Sequence, residues 1–491
     1  MLKNPDPSLI NDDLAPTSAE ARTRKVHHMA SLWIGMVVCV PTYMLAGGLI
    51  DLGMNWWQAV CTVLLGNVIV LVPMLLNGHA GTKYGVPFPV LSRASFGIVG
   101  AHVPSVLRGL VACGWFGIQT WIGGSAIYQL VNALGGDMLV GEDIGWLGIN
   151  GGELICFFAF WGLQVAVLLR GIDSIRLLET WAAPFLILLG LALLAWAYIK
   201  ADGFGEMLSA KSAFDEGGEK EGQFLSAFWP GLTGMVGFWA TLSLNIPDFT
   251  RYAKSQKDQM LGQAIGLPLF MTLFAFIGVA VTSATVVIFG EAIPNPTVLA
   301  GRMGGGFAVV ISLFALTIAT LSTNIAANVV APANAIMNLA PRRAGFRMGA
   351  MITAGIGVVI MPWHLIESTG GYIFTWLLGY SALLGPIGGI VIADYFLVRR
   401  TNLDLEGLYQ TDGPYSYERG VNMIAILALV LGVAPNVPGF LAAARGLEGE
   451  SFWTDLYQYA WFVGFAISVA VYWIGMGLSG RVPSRVAEWK Q

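Results

Sequence analysis

Twelve times along this chain an apolar run approaches the roughly 20 residues that a helix needs to cross the hydrocarbon of a bilayer. The runs are Met29 to Ile50, Trp57 to Leu76, Val103 to Leu134, Leu154 to Leu169, Ile175 to Tyr198, Phe228 to Thr250, Met260 to Phe289, Phe307 to Leu339, Met348 to Trp363, Tyr372 to Val398, Val421 to Leu441 and Trp453 to Leu478. That recurrence predicts an all-α integral membrane protein. Composition agrees: charged residues make up 11% of the chain, against roughly 25% in a soluble domain. The polar start, residues 1–28, has no apolar core followed by a small-residue cleavage site, so it reads as a cytoplasmic tail rather than a signal peptide. The cysteines Cys39, Cys61, Cys113 and Cys156 lie singly in apolar runs, without metal-ligand pairing, and read as small core residues.

Short cytoplasmic loops collect Lys and Arg. With the N-terminus inside, all but five of the 26 basic residues fall on the inner side; the exceptions are Lys200, Lys211, Lys220, Arg302 and Arg445. Three of these lie in or beside the long polar outer loop, residues 199–227, where the rule weakens. Twelve spans with both termini inside is the expectation, closing with a cytoplasmic tail over residues 479–491.

Two spans are not plain. In the sixth, Gly231, Gly234 and Gly237 recur at a spacing of three before Trp239. Each glycine costs roughly 1 kcal/mol against alanine in a helix interior, so the span either breaks there or uses the small residues to approach a neighbour closely. The first span carries Pro41 and then Gly47-Gly48, which predicts lost hydrogen bonding near its centre. Irregular backbone at that depth survives where it is buried in protein or lines a cavity. Interruptions in first and sixth place, five spans apart, are what inverted-repeat transporters show, with the site at midplane between the two halves.

The polar residues at that depth are few. Trp115 and Gln119 share a face of the third span, being four residues apart, and the eighth span carries Ser322, Thr323, Asn324 and Asn328. Carboxamides offer both donor and acceptor to the edge of a cyclic amide or imide, and aromatic rings hold a flat ring by offset stacking. The pattern points to a flat, neutral, polar-edged ligand. An enzyme would need a nucleophile with a base or a metal cluster, whereas the five histidines are scattered at span ends without H-E-x-x-H spacing. A channel would want a polar stripe or a charged ring along the spans.

The runs GTKYGVPFPVLSRASFG (Gly81 to Gly97), GWFGIQTW (Gly114 to Trp121), NIPDFTRY (Asn245 to Tyr252), STNIAANVVAPAN (Ser322 to Asn334) and GPIGGIVIADYFLVRR (Gly385 to Arg400) together resemble the nucleobase:cation symporter-1 family. The resemblance implies a leucine-transporter-like fold: an inverted repeat of five helices over 29–198 and 228–398, then two further helices over 399–478. It also implies import of uracil, cytosine, purines, allantoin or hydantoins with a cation, and no enzymatic activity. It assigns Trp115 and Trp239 as stacking surfaces, and Gln119 and Asn328 as amide readers. Cys39 stands where a hydantoin-carrying member has glutamine, and Phe238 where it has glycine. Both changes argue for a small flat ring such as uracil.

The resemblance also maps a sodium site onto the carbonyls of Gly35, Val38 and Ala319 and the side chains of Ser322 and Thr323. Sodium prefers oxygen ligands, and an unwound helix presents carbonyls. For the two hydroxyls, back-bonding to a carbonyl one turn earlier is the competing reading. Coupling to a proton is the alternative, and it calls for a titratable group in the pathway. The intramembrane candidates are Glu153 and Glu179, near span ends, and Asp248 at the inner end of the sixth span, where pairing with Arg251 or a neighbouring base at the inner gate is the expected role.

Overall fold

The computed structural model describes residues 2–480 except 171, 304–305, 341–344, 448 and 450. Of the basic residues counted above, Arg342, Arg343, Arg481, Arg485 and Lys490 lie outside the described residues, as does nearly all of the predicted C-terminal tail.

Helix dominates, and each of the twelve expected spans coincides with helix. Among the described residues eight helices are long and apolar enough to cross a membrane, or nine with the bent first span, Val26–Val37 and Val40–Asp51. The expected fifth span lies in one helix, Ile172–Lys200. The sixth and ninth fall short of that measure: Phe346–Val359 is a shorter apolar helix, and the sixth is divided into Phe224–Phe238 and Ala240–Asn245. The number twelve therefore rests on the sequence.

Close backbone approach groups the helices into two bodies. Gly278 of the seventh span lies on the backbone of Tyr43, Gly266 lies on Trp33 and Ala30, and Gly66 of the second span lies on Met235 of the sixth. In the other body, Gly124 of the third span meets the backbone of Phe157 on the fourth, Gly117 meets Gly357 on the ninth, and Gly109 meets Pro332 and Ala335 on the eighth. A side chain at these positions would push the helices apart, which is how small residues permit tight packing without a hydrophobic drive.

The sixth-span glycines follow the packing alternative. Helix runs unbroken through Gly231, Gly234 and Gly237, and a Cβ on Gly237 would fall 2.0 Å from Ser381 Oγ on the tenth span. The break comes later, at Trp239 (φ −99°, ψ 0°). The tenth-span glycines also pack closely: Gly379 lies on Phe440, Gly385 on the backbone of Trp461 and Gly389 on Ser468. Irregularity in that span sits instead in two π-helical stretches, Gly371–Leu377 and Ala393–Val398.

The N-terminal segment is not a free tail. Leu9 and Leu14 are buried, and Tyr409 donates to the Leu14 carbonyl at 2.7 Å. Arg251 donates to Asp13 O, and Arg93 donates to Leu9 O, Leu408 O and Asn338 Oδ1. Burial pushes the pKa of Arg93 down to about 10, so it remains charged at neutral pH. Hydrogen bonding between Arg24 and the segment Tyr252–Lys254 completes the seam. Asp248 makes no ion pair with Arg251; it accepts from the Phe88 amide at 2.7 Å. Of the cysteines, Cys61 departs from the core expectation and is exposed on the outside of the bundle.

Candidate functional site

The first span breaks because two residues leave the helical region. Val38 (φ −82°, ψ 84°) ends one helix, and extended Cys39 (φ −148°, ψ 158°) begins the next, with Pro41 in its first turn. The two axes differ by 61°. Val38 N bonds to Ile34 O, Cys39 N to Val37 O, and both Thr42 N and Tyr43 N to Cys39 O. Among the described residues no backbone N–H takes up the carbonyls of Gly35 or Val38. The break thus frees two oxygens in a buried region.

The helix carrying them, Val26–Val37, touches the eighth span, Gly306–Asn328. There the two expected sodium hydroxyls differ. Thr323 Oγ1 donates to Ala319 O at 2.5 Å, the back-bonded arrangement, whereas Ser322 Oγ is buried without a partner. An orphaned buried hydroxyl costs about 1 to 3 kcal/mol unless something satisfies it. Hydroxyl and carbonyl oxygens are the donor type that a hard cation prefers.

Cys39, Trp115, Gln119, Phe238, Trp239 and Asn328 line one cavity, together with Met36, Pro41, Thr241, Leu242 and Ala327. Its volume is about 40 Å³, room for a few waters. It is small because Phe238 stands between the tryptophans. Its ring centroid lies 5.1 Å from that of Trp115 and 4.9 Å from that of Trp239, both edge-on. Trp239 in turn meets Trp33 edge-on at 5.2 Å. Cys39 spends its thiol on Thr42, at 3.2 Å. Gln119 Oε1 and Trp239 Nε1 are buried without partners. Asn328 donates from Nδ2 to Asn324 Oδ1 at 2.9 Å. Cys39 is the only titratable group in the wall, so an ion entering it would find no counter-charge to offset desolvation. The cavity favours a neutral guest with both N–H and C=O on its edge.

Three aromatic residues near this site escaped the sequence reading. Tyr372, Trp376 and Tyr380 of the tenth span surround Trp115 with edge-to-face contacts at 6.2, 5.8 and 6.3 Å. Their signal was present as aromatics at a spacing of four. Gly114 admits Trp376, since a Cβ there would lie 2.2 Å from the indole ring. Tyr372 also donates to Pro41 O at 3.4 Å, joining the tenth span to the first break.

Residues 16–464 match the model of a family described as permease for cytosine/purines, uracil, thiamine, allantoin. Among curated proteins, a purine-uracil permease of Arabidopsis thaliana is 50% identical over 98% of this chain and 80% of its own length. An allantoin permease of Bacillus subtilis (strain 168) is 40% identical, covering 94% of this chain and 92% of its own. Among solved structures, Mhp1, a nucleobase-cation-symport-1 family transporter in a closed conformation with bromovinylhydantoin bound, superposes with a TM-score of 0.76 at 26% identity, over 98% of each chain.

Proposed function

This chain belongs to the family of permeases for cytosine and purines, uracil, thiamine and allantoin, and from that premise we propose that it imports a small, flat, neutral heterocycle, most like uracil, together with sodium. The observation that carries the reading is the uncharged cavity at the two helix breaks, lined by two indoles and two carboxamides. A ring displaces Phe238 and stacks on Trp115 and Trp239, while Gln119 and Asn328 meet its edge. The relatives named above include a purine-uracil permease, an allantoin permease and a transporter holding a hydantoin, and uracil, allantoin and hydantoin all carry the N–H and C=O groups of a ureide.

Sodium is held by the carbonyls of Gly35, Val38 and Ala319 with the hydroxyls of Ser322 and Thr323. Binding of ring and ion shifts the balance by which the body of spans one, two, six and seven rocks against three, four, eight and nine, each body drawing spans from both five-helix repeats, 29–198 and 228–398. The basic asymmetry of the loops supports cytoplasmic termini, and the protein works in the plasma membrane as an importer.

Binding and uptake of radiolabelled uracil, adenine and allantoin by proteoliposomes test the site. Trp115→Ala and Asn328→Ala are each expected to abolish measurable binding. The first loses a stacking face, and the second leaves a buried ligand group unpaired at about 1 to 3 kcal/mol. Trp56→Ala, at the end of the second span and edge-on to Phe276, is expected to bind as wild type. Unchanged binding in both site variants would show that the ring sits elsewhere.

A further inference from the structure

Asn328 is one end of a hydrogen-bonded relay whose other end is a backbone carbonyl. Thr120 Oγ1 donates to Phe116 O at 2.6 Å, and Asn324 Nδ2 reaches the same carbonyl at 2.9 Å. Asn324 Nδ2 also donates to Gln164 Oε1 at 2.7 Å, and Gln164 Nε2 donates to Thr120 Oγ1 at 2.8 Å. Thr120, Gln164 and Asn324 are fully buried, and they come from the third, fourth and eighth spans. None of the three lines the cavity.

Which way an amide points is usually inferred from its network, and this network has one consistent polarity. Phe116 O is an acceptor and nothing else, so Asn324 must turn its NH₂ toward it. Reversing Asn324 would set its oxygen against that carbonyl and against Gln164 Oε1. With its NH₂ committed there, Asn324 presents Oδ1 to Asn328. Asn328 must then spend its NH₂ on Asn324, at 2.9 Å, and keep its oxygen for the cavity.

We infer that the Phe116 carbonyl, acting through Asn324, fixes Asn328 as a hydrogen-bond acceptor, and that the transporter therefore selects rings carrying an N–H where Asn328 meets them. Asn324 and Gln164 are positioning residues for substrate choice. The inference deepens the site reading above and rests on it. Gln119 Oε1, also buried without a partner, supplies a second acceptor. Uracil carries N–H on both ring nitrogens and satisfies both acceptors. Cytosine, of the same size and shape, has an N–H on only one of its ring nitrogens. With Gln119 oriented as it stands, Oε1 toward the cavity, cytosine's other ring nitrogen sets a lone pair against an amide oxygen in either pose.

The test is the ratio of uracil to cytosine affinity, measured by competition in proteoliposomes. Wild type is expected to prefer uracil by about tenfold or more, the size of one unmade buried hydrogen bond. Asn324→Leu frees the Asn328 amide to rotate and is expected to bring the ratio to within a few-fold of unity. Gln164→Leu removes the shortest of the three acceptors of Asn324 Nδ2, which are Gln164 Oε1, Phe116 O and Thr120 Oγ1, and is expected to narrow the ratio partly. Gln164→Glu still accepts from Asn324 and is expected to keep the wild-type ratio even if the carboxylate lowers thermal stability. A residue that matters only to packing would show the opposite order, with Gln164→Leu near wild type and Gln164→Glu impaired. Should Asn324→Leu fail to fold, the Gln164 pair still decides.

A wild-type protein that binds cytosine as tightly as uracil overturns the inference, as does a ratio that survives both leucine substitutions. If Asn328→Ala nevertheless abolishes binding, the site stands and only the polarity is wrong. If Asn328→Ala binds both rings as wild type does, or wild type binds neither, the site reading falls and this inference falls with it.

Discussion

The first and sixth spans are both interrupted, and the interruptions are built for different purposes. In the first, Val38 and Cys39 leave the helical region, the axis turns by 61°, and the carbonyls of Gly35 and Val38 are left over. In the sixth, Trp239 (φ −99°, ψ 0°) departs only slightly; its N–H bonds to Val236 O and its carbonyl accepts from Ser243, so little backbone is freed. That break presents rings: Phe238 and Trp239 stand edge-on to each other across it. One interruption leaves carbonyl oxygens over and the other presents ring faces. On the function proposed above, two irregular stretches that look alike as sequence carry complementary halves of the chemistry: the first for an ion, the sixth for a flat ring.

The sharpest way to break this contrast is to add one methyl group to a glycine in each span. At Gly237 the new Cβ would lie 2.0 Å from Ser381 Oγ and 3.1 Å from Leu377 O. Such overpacking costs about 1 to 3 kcal/mol or more, so Gly237→Ala is expected to lose most of the folded protein recovered from membranes. At Gly35 nothing lies within 4 Å of an added Cβ. Gly35→Ala is expected to fold as wild type, since the span uses only that residue's carbonyl. Thermal unfolding of the two purified variants reads the difference, and equal stability would mean that the sixth-span glycines do not set the close contact with the tenth span.

Next in size is the response to sodium, which belongs to the first break and its eighth-span partner. Removing both hydroxyls with Ser322→Ala and Thr323→Ala is expected to abolish the stimulation of uptake by external sodium at fixed pH, while the stacking residues stay in place. Substrate affinity is expected to lose its dependence on sodium as well, because coupling between two bound ligands is reciprocal. Ser322→Ala alone is expected to do most of this, since its hydroxyl is the unpartnered one whereas Thr323 is held by Ala319 O. Full uptake in sodium-free buffer driven by an inward proton gradient would assign the coupling to a proton instead.

What could be read from the sequence follows from what burial costs. Trp115, Gln119 and Asn328 stood out because polar or large flat residues at mid-span need a reason to be there, and they line one cavity. The location of the first break was legible for the same reason, since proline in a helix interior has few explanations. Partners were not legible. Nothing in the residue types said that Gly237 would seat Ser381, or that Asp248 would hold the Phe88 amide rather than a base. Gln164 and Thr120 went unnoticed because a single polar residue in an apolar span gives no hint of its counterpart on another helix. The N-terminal segment reads as a free polar tail, yet its carbonyls are taken up by Arg93, Arg251 and Tyr409 from three distant stretches of chain. Backbone acceptors carry no trace in the sequence.

The smallest expected effect concerns what holds the first break open. In a continuous helix the ring of Pro41 would meet the carbonyl of Val37 and leave it without a donor; here Cys39 N takes that carbonyl at 3.0 Å instead. Pro41 itself sits in the first turn of the second helix, where its missing N–H costs nothing. Replacing it therefore removes a barrier to straightening without removing a contact, because Tyr372 bonds to the residue's carbonyl rather than to its ring. Straightening would return the Gly35 and Val38 carbonyls to helical partners and withdraw them from the ion. Pro41→Ala is thus expected to raise the sodium concentration for half-maximal uptake by a few-fold, with thermal stability and sodium-saturated uracil affinity close to wild type. A loss of sodium response as complete as that of the double hydroxyl variant would make proline the sole support of the break. An unchanged sodium curve would transfer that role to the packing around Cys39 and Tyr43.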